Sequence, residues 1–68
     1  MSVQIIVNGE RKSIADGATI ATVIDELGLQ PRYVGVEVNL ELIPREQHHD
    51  HQLQDGDQLE VVTLVGGG

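Results

Sequence analysis

Only one stretch of this chain carries apolar residues at helical spacing: Ile20, Val23, Ile24 and Leu27, at i, i+3, i+4 and i+7. Thr19 stands where an N-cap belongs. Gly28 takes the C′ position that favours left-handed backbone, and Pro31 bars the helix from resuming. The flanking apolar residues alternate instead, as strands do. One short helix therefore has to cover whatever sheet the rest of the chain forms. That restricts the architecture to a sheet, a helix and one core between them.

The core has to be aliphatic. Among 68 residues there is no cysteine and a single aromatic, Tyr33, against nine Val, seven Leu and six Ile. A domain this small buries only ~60% of the surface its unfolded chain exposes. Many such domains lean on disulfides or a structural metal, but neither a disulfide nor a thiolate zinc site is available here. The β-branched excess favours sheet.

The strands can be read in order. Val3, Ile5 and Val7 share one face of the first, and Asn8-Gly9 follows as a type I′ hairpin turn, whose two central residues need positive φ. Glu10 to Ile14 returns with charges suited to a sheet edge, and Asp16-Gly17 breaks it. After the helix, Tyr33 to Val38 places Val34, Val36 and Val38 inward. Leu40 to Ile43 reads as a short, half-exposed strand stopped at an edge by Pro44. Arg45 to Gln54 is polar and loop-like, Leu53 anchors the Asp55-Gly56-Asp57 turn, and Leu59 to Val65 is the final strand.

A helix crossing one face of a mixed sheet does so right-handedly. The core closes if the first and last strands lie side by side, parallel, at the centre. The expected fold is an α+β, ubiquitin-like β-grasp roll: a mixed sheet of four to five strands on one helix, over residues 1–65. Residues 66–68 form a flexible glycine tail.

That tail is the most pointed chemical feature. Gly66, Gly67 and Gly68 give no side chain for recognition and do not help hold a fold together. At roughly 3.3–3.6 Å per residue they reach about 10 Å past the last strand, enough to thread a narrow channel in a partner. The terminal carboxylate titrates near ~3.3–3.7, so at neutral pH it is a poor electrophile that must be activated from outside, adenylation being the reaction that fits. The bland alternative is a disordered end. If Leu59, Val61 and Thr63 face the helix, Val62 and Leu64 face out beside Ile6, making an aliphatic patch at the root of the tail together with Val65. Contiguous patches of this kind mark interaction sites.

Other constellations carry less. His48-His49-Asp50-His51 cannot converge on one ion from four consecutive loop positions. It reads as a solvated polar loop, and no metal site is expected. Asp55-Gly56-Asp57 lacks the later ligands of a calcium loop. No nucleophile–base set or phosphate loop is present, so the chain reads as a substrate or carrier for enzymes and not as an enzyme. Its formal charge of −7 argues against nucleic acid, which is bound through Lys and Arg. It suits basic protein surfaces. Without a basic n-region or an apolar run near ~18 residues, a cytoplasmic protein off the membrane, monomeric when free, is expected.

Taken together, Val7-Asn8-Gly9-Glu10, Val38-Asn39, Ile43-Pro44-Arg45, Leu53-Gln54-Asp55-Gly56-Asp57, Leu59-Glu60-Val61-Val62 and Val65-Gly66-Gly67-Gly68 resemble the ThiS family, the sulfur carriers of thiamine biosynthesis. The resemblance runs the whole length. It implies that a ThiF-like adenylating enzyme uses ATP and Mg²⁺ to convert the Gly68 carboxylate to an acyl-adenylate. Sulfur from a cysteine desulfurase then displaces AMP, and the resulting thiocarboxylate serves a ThiG-like thiazole synthase. Gly66 and Gly67 would line the enzyme channels as bare backbone, and no cofactor is bound by the carrier itself. One departure is visible: the family often has tryptophan near the position of His48. Rival readings are a MoaD-like carrier for molybdopterin, a ubiquitin-like modifier, for which Lys12 would be the only lysine acceptor on a second copy, and a non-reactive β-grasp binding module.

Overall fold

The structure is a computed structural model that describes residues 2–64. Val65, Gly66, Gly67 and Gly68, and with them the expected reactive tail, lie outside the described residues. The chain forms strands β1 (Ser2–Val7), β2 (Glu10–Ala15), β3 (Val34–Val38), β4 (Glu41–Leu42) and β5 (Gln58–Thr63). Helix α1 spans Ile20–Glu26, and Pro31–Tyr33 and Arg45–Gln47 form 3₁₀ turns. The sheet order is β2-β1-β5-β3-β4. The last strand is central as expected, parallel to β1 and antiparallel to β3. The mixed sheet on one helix is the expected β-grasp roll.

Local rules account for most boundaries. Asn8 and Gly9 adopt φ 51 and 85, the paired positive values of a type I′ turn. Thr19 caps α1 through a capping box: its hydroxyl accepts from the Thr22 N–H at 3.3 Å, while the Thr22 hydroxyl accepts from the Thr19 N–H at 3.2 Å. Ile20, Val23 and Ile24 are buried against Ile5, Val7, Ile14, Val34, Val36, Val38, Leu59 and Val61 of the sheet. Each fully buried aliphatic side chain is worth ~1.5–3 kcal/mol. Leu27, last of the helical stripe, is 40% exposed because the helix ends at the rim of the sheet.

Two expectations need correction. The strand expected over Leu40 to Ile43 shortens to Glu41–Leu42. Leu40 instead joins Asn39 in the connecting turn, at φ 70 and 52, and Ile43 drops into the core. Within the polar Arg45 to Gln54 segment, the expected solvated stretch His48-His49-Asp50-His51 is solvated except at His48, which is buried. The segment packs on the start of α1, where carbonyls of His51 and His48 accept from the Ile20 and Ala21 N–H groups at 3.2 and 3.0 Å. Helix N-termini leave such donors unpaired, and this segment supplies them with acceptors. His48 is 3% exposed, and its Nε2–H donates to the Ile43 carbonyl at 3.1 Å, which fixes the tautomer. Nδ1 is buried without a partner.

Candidate functional site

Strand β5 leads toward the terminal glycines, so what fixes β5 fixes the origin of the tail. Its β3 edge is paired over five positions, from Val38↔Leu59 to Val34↔Thr63. The Leu64 N–H then donates to the Tyr33 carbonyl at 2.6 Å. The other edge has far less backbone support, because β1 pairs with β5 only at Ile6↔Gln58 and Val7↔Leu59 before the hairpin turns away.

A side chain continues where the strand stops. Asn8 Oδ1 accepts from the Val61 N–H at 2.8 Å, and Asn8 Nδ2 donates to the Val61 carbonyl at 3.0 Å. The carboxamide thus offers β5 the donor and acceptor of the next peptide group. Asn8 was read only as a turn residue; its clasp on a residue 53 positions away carries no local sequence signal.

The start of β5 is held by the Asp55-Gly56-Asp57 turn. Asp55 Oδ1 accepts from the Gln4 N–H at 2.9 Å and Gly56 N–H donates to the Gln4 carbonyl at 2.8 Å, tying the turn to β1. Asp57 accepts from the Gln54 N–H at 2.8 Å, closing the turn from three residues ahead, and from Asn39 Nδ2 at 3.0 Å.

On the outer face, Val62 and Leu64 are 54% and 55% exposed. Opposite Val62 lies Gly35, over which Val62 packs so closely that an added Cβ would stand a tight 3.3 Å from Val62 Cγ2. Tyr33, exposed and with the Arg32 guanidinium 5.9 Å from its ring centroid, borders the patch; the sequence alone places neither Tyr33 nor Gly35 there. Contrary to the expectation from sequence, Ile6 does not lie beside Val62. The parallel register sets it against Gln58, four residues or ~13 Å upstream. Thr63 is in the inward register but exposed, past the end of the core.

Among the described residues no three His, Asp or Glu side chains gather as metal ligands. His48 is turned inward, so its side chain offers no surface to a partner. Also among the described residues, no helix is long and apolar enough to cross a membrane.

A family model described as the ThiS family matches residues 5–68. The chain is 37% identical over 65 residues to a thiazole synthase of Paramagnetospirillum magneticum, covering 96% of this chain and 20% of that one. It is 31% identical over 65 residues to the sulfur carrier protein ThiS of Escherichia coli, covering 96% and 98%. The chain thus spans about a fifth of the thiazole synthase and nearly all of the carrier. The crystal structure of a thiamine biosynthesis protein (ThiS) from Geobacter metallireducens superposes with a TM-score of 0.81 at 30% identity, covering 97% of this chain and 100% of that one.

Proposed function

The chain belongs to the ThiS family, and on that premise we propose that it is a sulfur carrier of thiamine biosynthesis, a co-substrate and not a catalyst. The Gly68 carboxylate attacks the α-phosphorus of ATP in the site of a ThiF-like enzyme, which holds the Mg²⁺; pyrophosphate leaves and an acyl-adenylate forms. A hydrosulfide equivalent, delivered from a cysteine desulfurase, adds to the activated carbonyl and expels AMP, leaving a thiocarboxylate and a proton. The thiocarboxylate then gives its sulfur to a ThiG-like thiazole synthase for the thiazole ring. A cytoplasmic location, where ATP is available, is part of the same proposal.

The observation that carries the reading is the match of the family over residues 5–68, which includes Gly66, Gly67 and Gly68. The similarity to part of a thiazole synthase supports that enzyme as the acceptor. Val62 and Leu64, with Tyr33 beside them, are the proposed docking surface next to the tail, and Val65, Gly66 and Gly67 the segment that enters the partner's channel.

The test is intact-mass spectrometry after incubation with a ThiF-type enzyme, ATP, Mg²⁺ and sulfide. A mass gain of one oxygen-for-sulfur exchange, mapped to Gly68, is expected. A variant lacking Gly68 should melt like the parent and gain nothing. An unmodified parent, beside a known carrier converted in the same mixture, refutes the reading.

A further inference from the structure

The outer face of the sheet carries a second apolar feature away from the tail root. Leu40 is 85% exposed and holds φ +70, a left-handed conformation that a bulky side chain rarely adopts without a reason elsewhere. Exposure and strain both count against leucine in the free protein. The turn is nonetheless firmly held. The Asn39 N–H donates to the Gln58 carbonyl at 2.7 Å, Asn39 Oδ1 accepts from the Gln58 N–H at 3.0 Å, and Asn39 Nδ2 donates to Asp57 Oδ1 at 3.0 Å. Leu40 is presented by a braced turn.

Beside Leu40 lies a groove of about 610 Å³ with the half-buried Ile6 in its lining. Glu37 and Glu60 line it too, and no Lys, Arg or His does. These two carboxylate residues are directly paired across β3 and β5, and like charges so placed destabilise an antiparallel pair. Apolar contact surface and uncompensated negative charge thus occur together in one concave site.

We propose that this groove receives an arginine-bearing segment of the adenylating enzyme, the guanidinium between Glu37 and Glu60 and an aliphatic neighbour against Leu40 and Ile6. A planar guanidinium carries five donors and remains charged, so one side chain can bind both carboxylates and relieve their repulsion. The inference rests on the carrier reading and extends its docking surface. The groove begins at Glu60, two residues or ~7 Å from Val62. A standard interface covers about 800 Å² on each partner, or roughly 30 Å across, so one enzyme can cover tail root and groove together.

The test compares carrier kinetics with a ThiF-type enzyme, read as pyrophosphate release. The double variant Glu37→Gln, Glu60→Gln should raise KM about tenfold or more with kcat unchanged, while melting no lower than the parent. Leu40→Gly should raise KM about threefold to tenfold, again without loss of stability. Asp16→Asn, which removes an exposed charge outside the groove, should leave KM within about twofold. A KM unchanged in both groove variants, or raised equally by Asp16→Asn, overturns the proposal. If the parent is not adenylated at all, the carrier reading fails instead. The groove is then judged by NMR titration with N-acetyl-Leu-Arg-amide: amide shifts centred on Glu37, Leu40 and Glu60, lost in the double variant, sustain it, and their absence overturns it.

Discussion

Replacing Asn8 by glycine keeps the hairpin turn, since glycine accepts positive φ as readily as asparagine, but removes the clasp on Val61. Two hydrogen bonds disappear, of 2.8 and 3.0 Å. A typical intramolecular hydrogen bond contributes ~0.5–1.5 kcal/mol net. Because Asn8 is exposed and its bonds are only partly buried, water can reach the freed Val61 groups, and the expected loss is about 1–2 kcal/mol. For a domain of this size that lowers the melting temperature by roughly 4–16 °C. Asn8→Asp separates the two bonds. Its carboxylate still accepts from the Val61 N–H, but it sets an oxygen where Nδ2 donated to the Val61 carbonyl, so it should also destabilise, while keeping the Val61 amide protected. Urea unfolding followed by circular dichroism gives the stabilities, and amide hydrogen exchange gives the site. In Asn8→Gly the Val61 amide should lose protection selectively. A loss below about 0.5 kcal/mol with Val61 protection unchanged would refute the clasp.

His48→Ala should cost about 2–4 kcal/mol in urea unfolding, from the cavity left in a buried site and the unpaired Ile43 carbonyl. His48→Phe should cost less than half as much, because it fills the site and removes the unpartnered Nδ1. Thr19→Ala should lose about 1 kcal/mol by thermal melting, since it opens the capping box. Leu64→Asp should change stability by no more than about 0.5 kcal/mol, the side chain being exposed, yet raise KM for adenylation about tenfold; unchanged kinetics would remove Leu64 from the docking surface.

What the sequence determined by itself is what short-range rules control. The helix from its Thr19 cap to Gly28, the Asn8-Gly9 turn, the inward set Val34, Val36 and Val38, and the central parallel pairing of first and last strands all follow from periodicity, capping, backbone sterics and the need to close one core. The family motifs, including the glycines, were likewise legible along the chain. Tertiary structure decided the rest. Alternation tells which face a strand residue occupies, but sliding a strand by two residues leaves that pattern unchanged. No pattern could therefore say that Ile6 stands against Gln58 and not beside Val62. The same limit hid His48, polar by composition but buried because the helix start needs backbone acceptors that its segment provides. It also hid Asn8, whose second role exists only because β1 stops one peptide short of Val61. Each of these depends on which distant segment lies alongside, and that is set by how the loops close around the core.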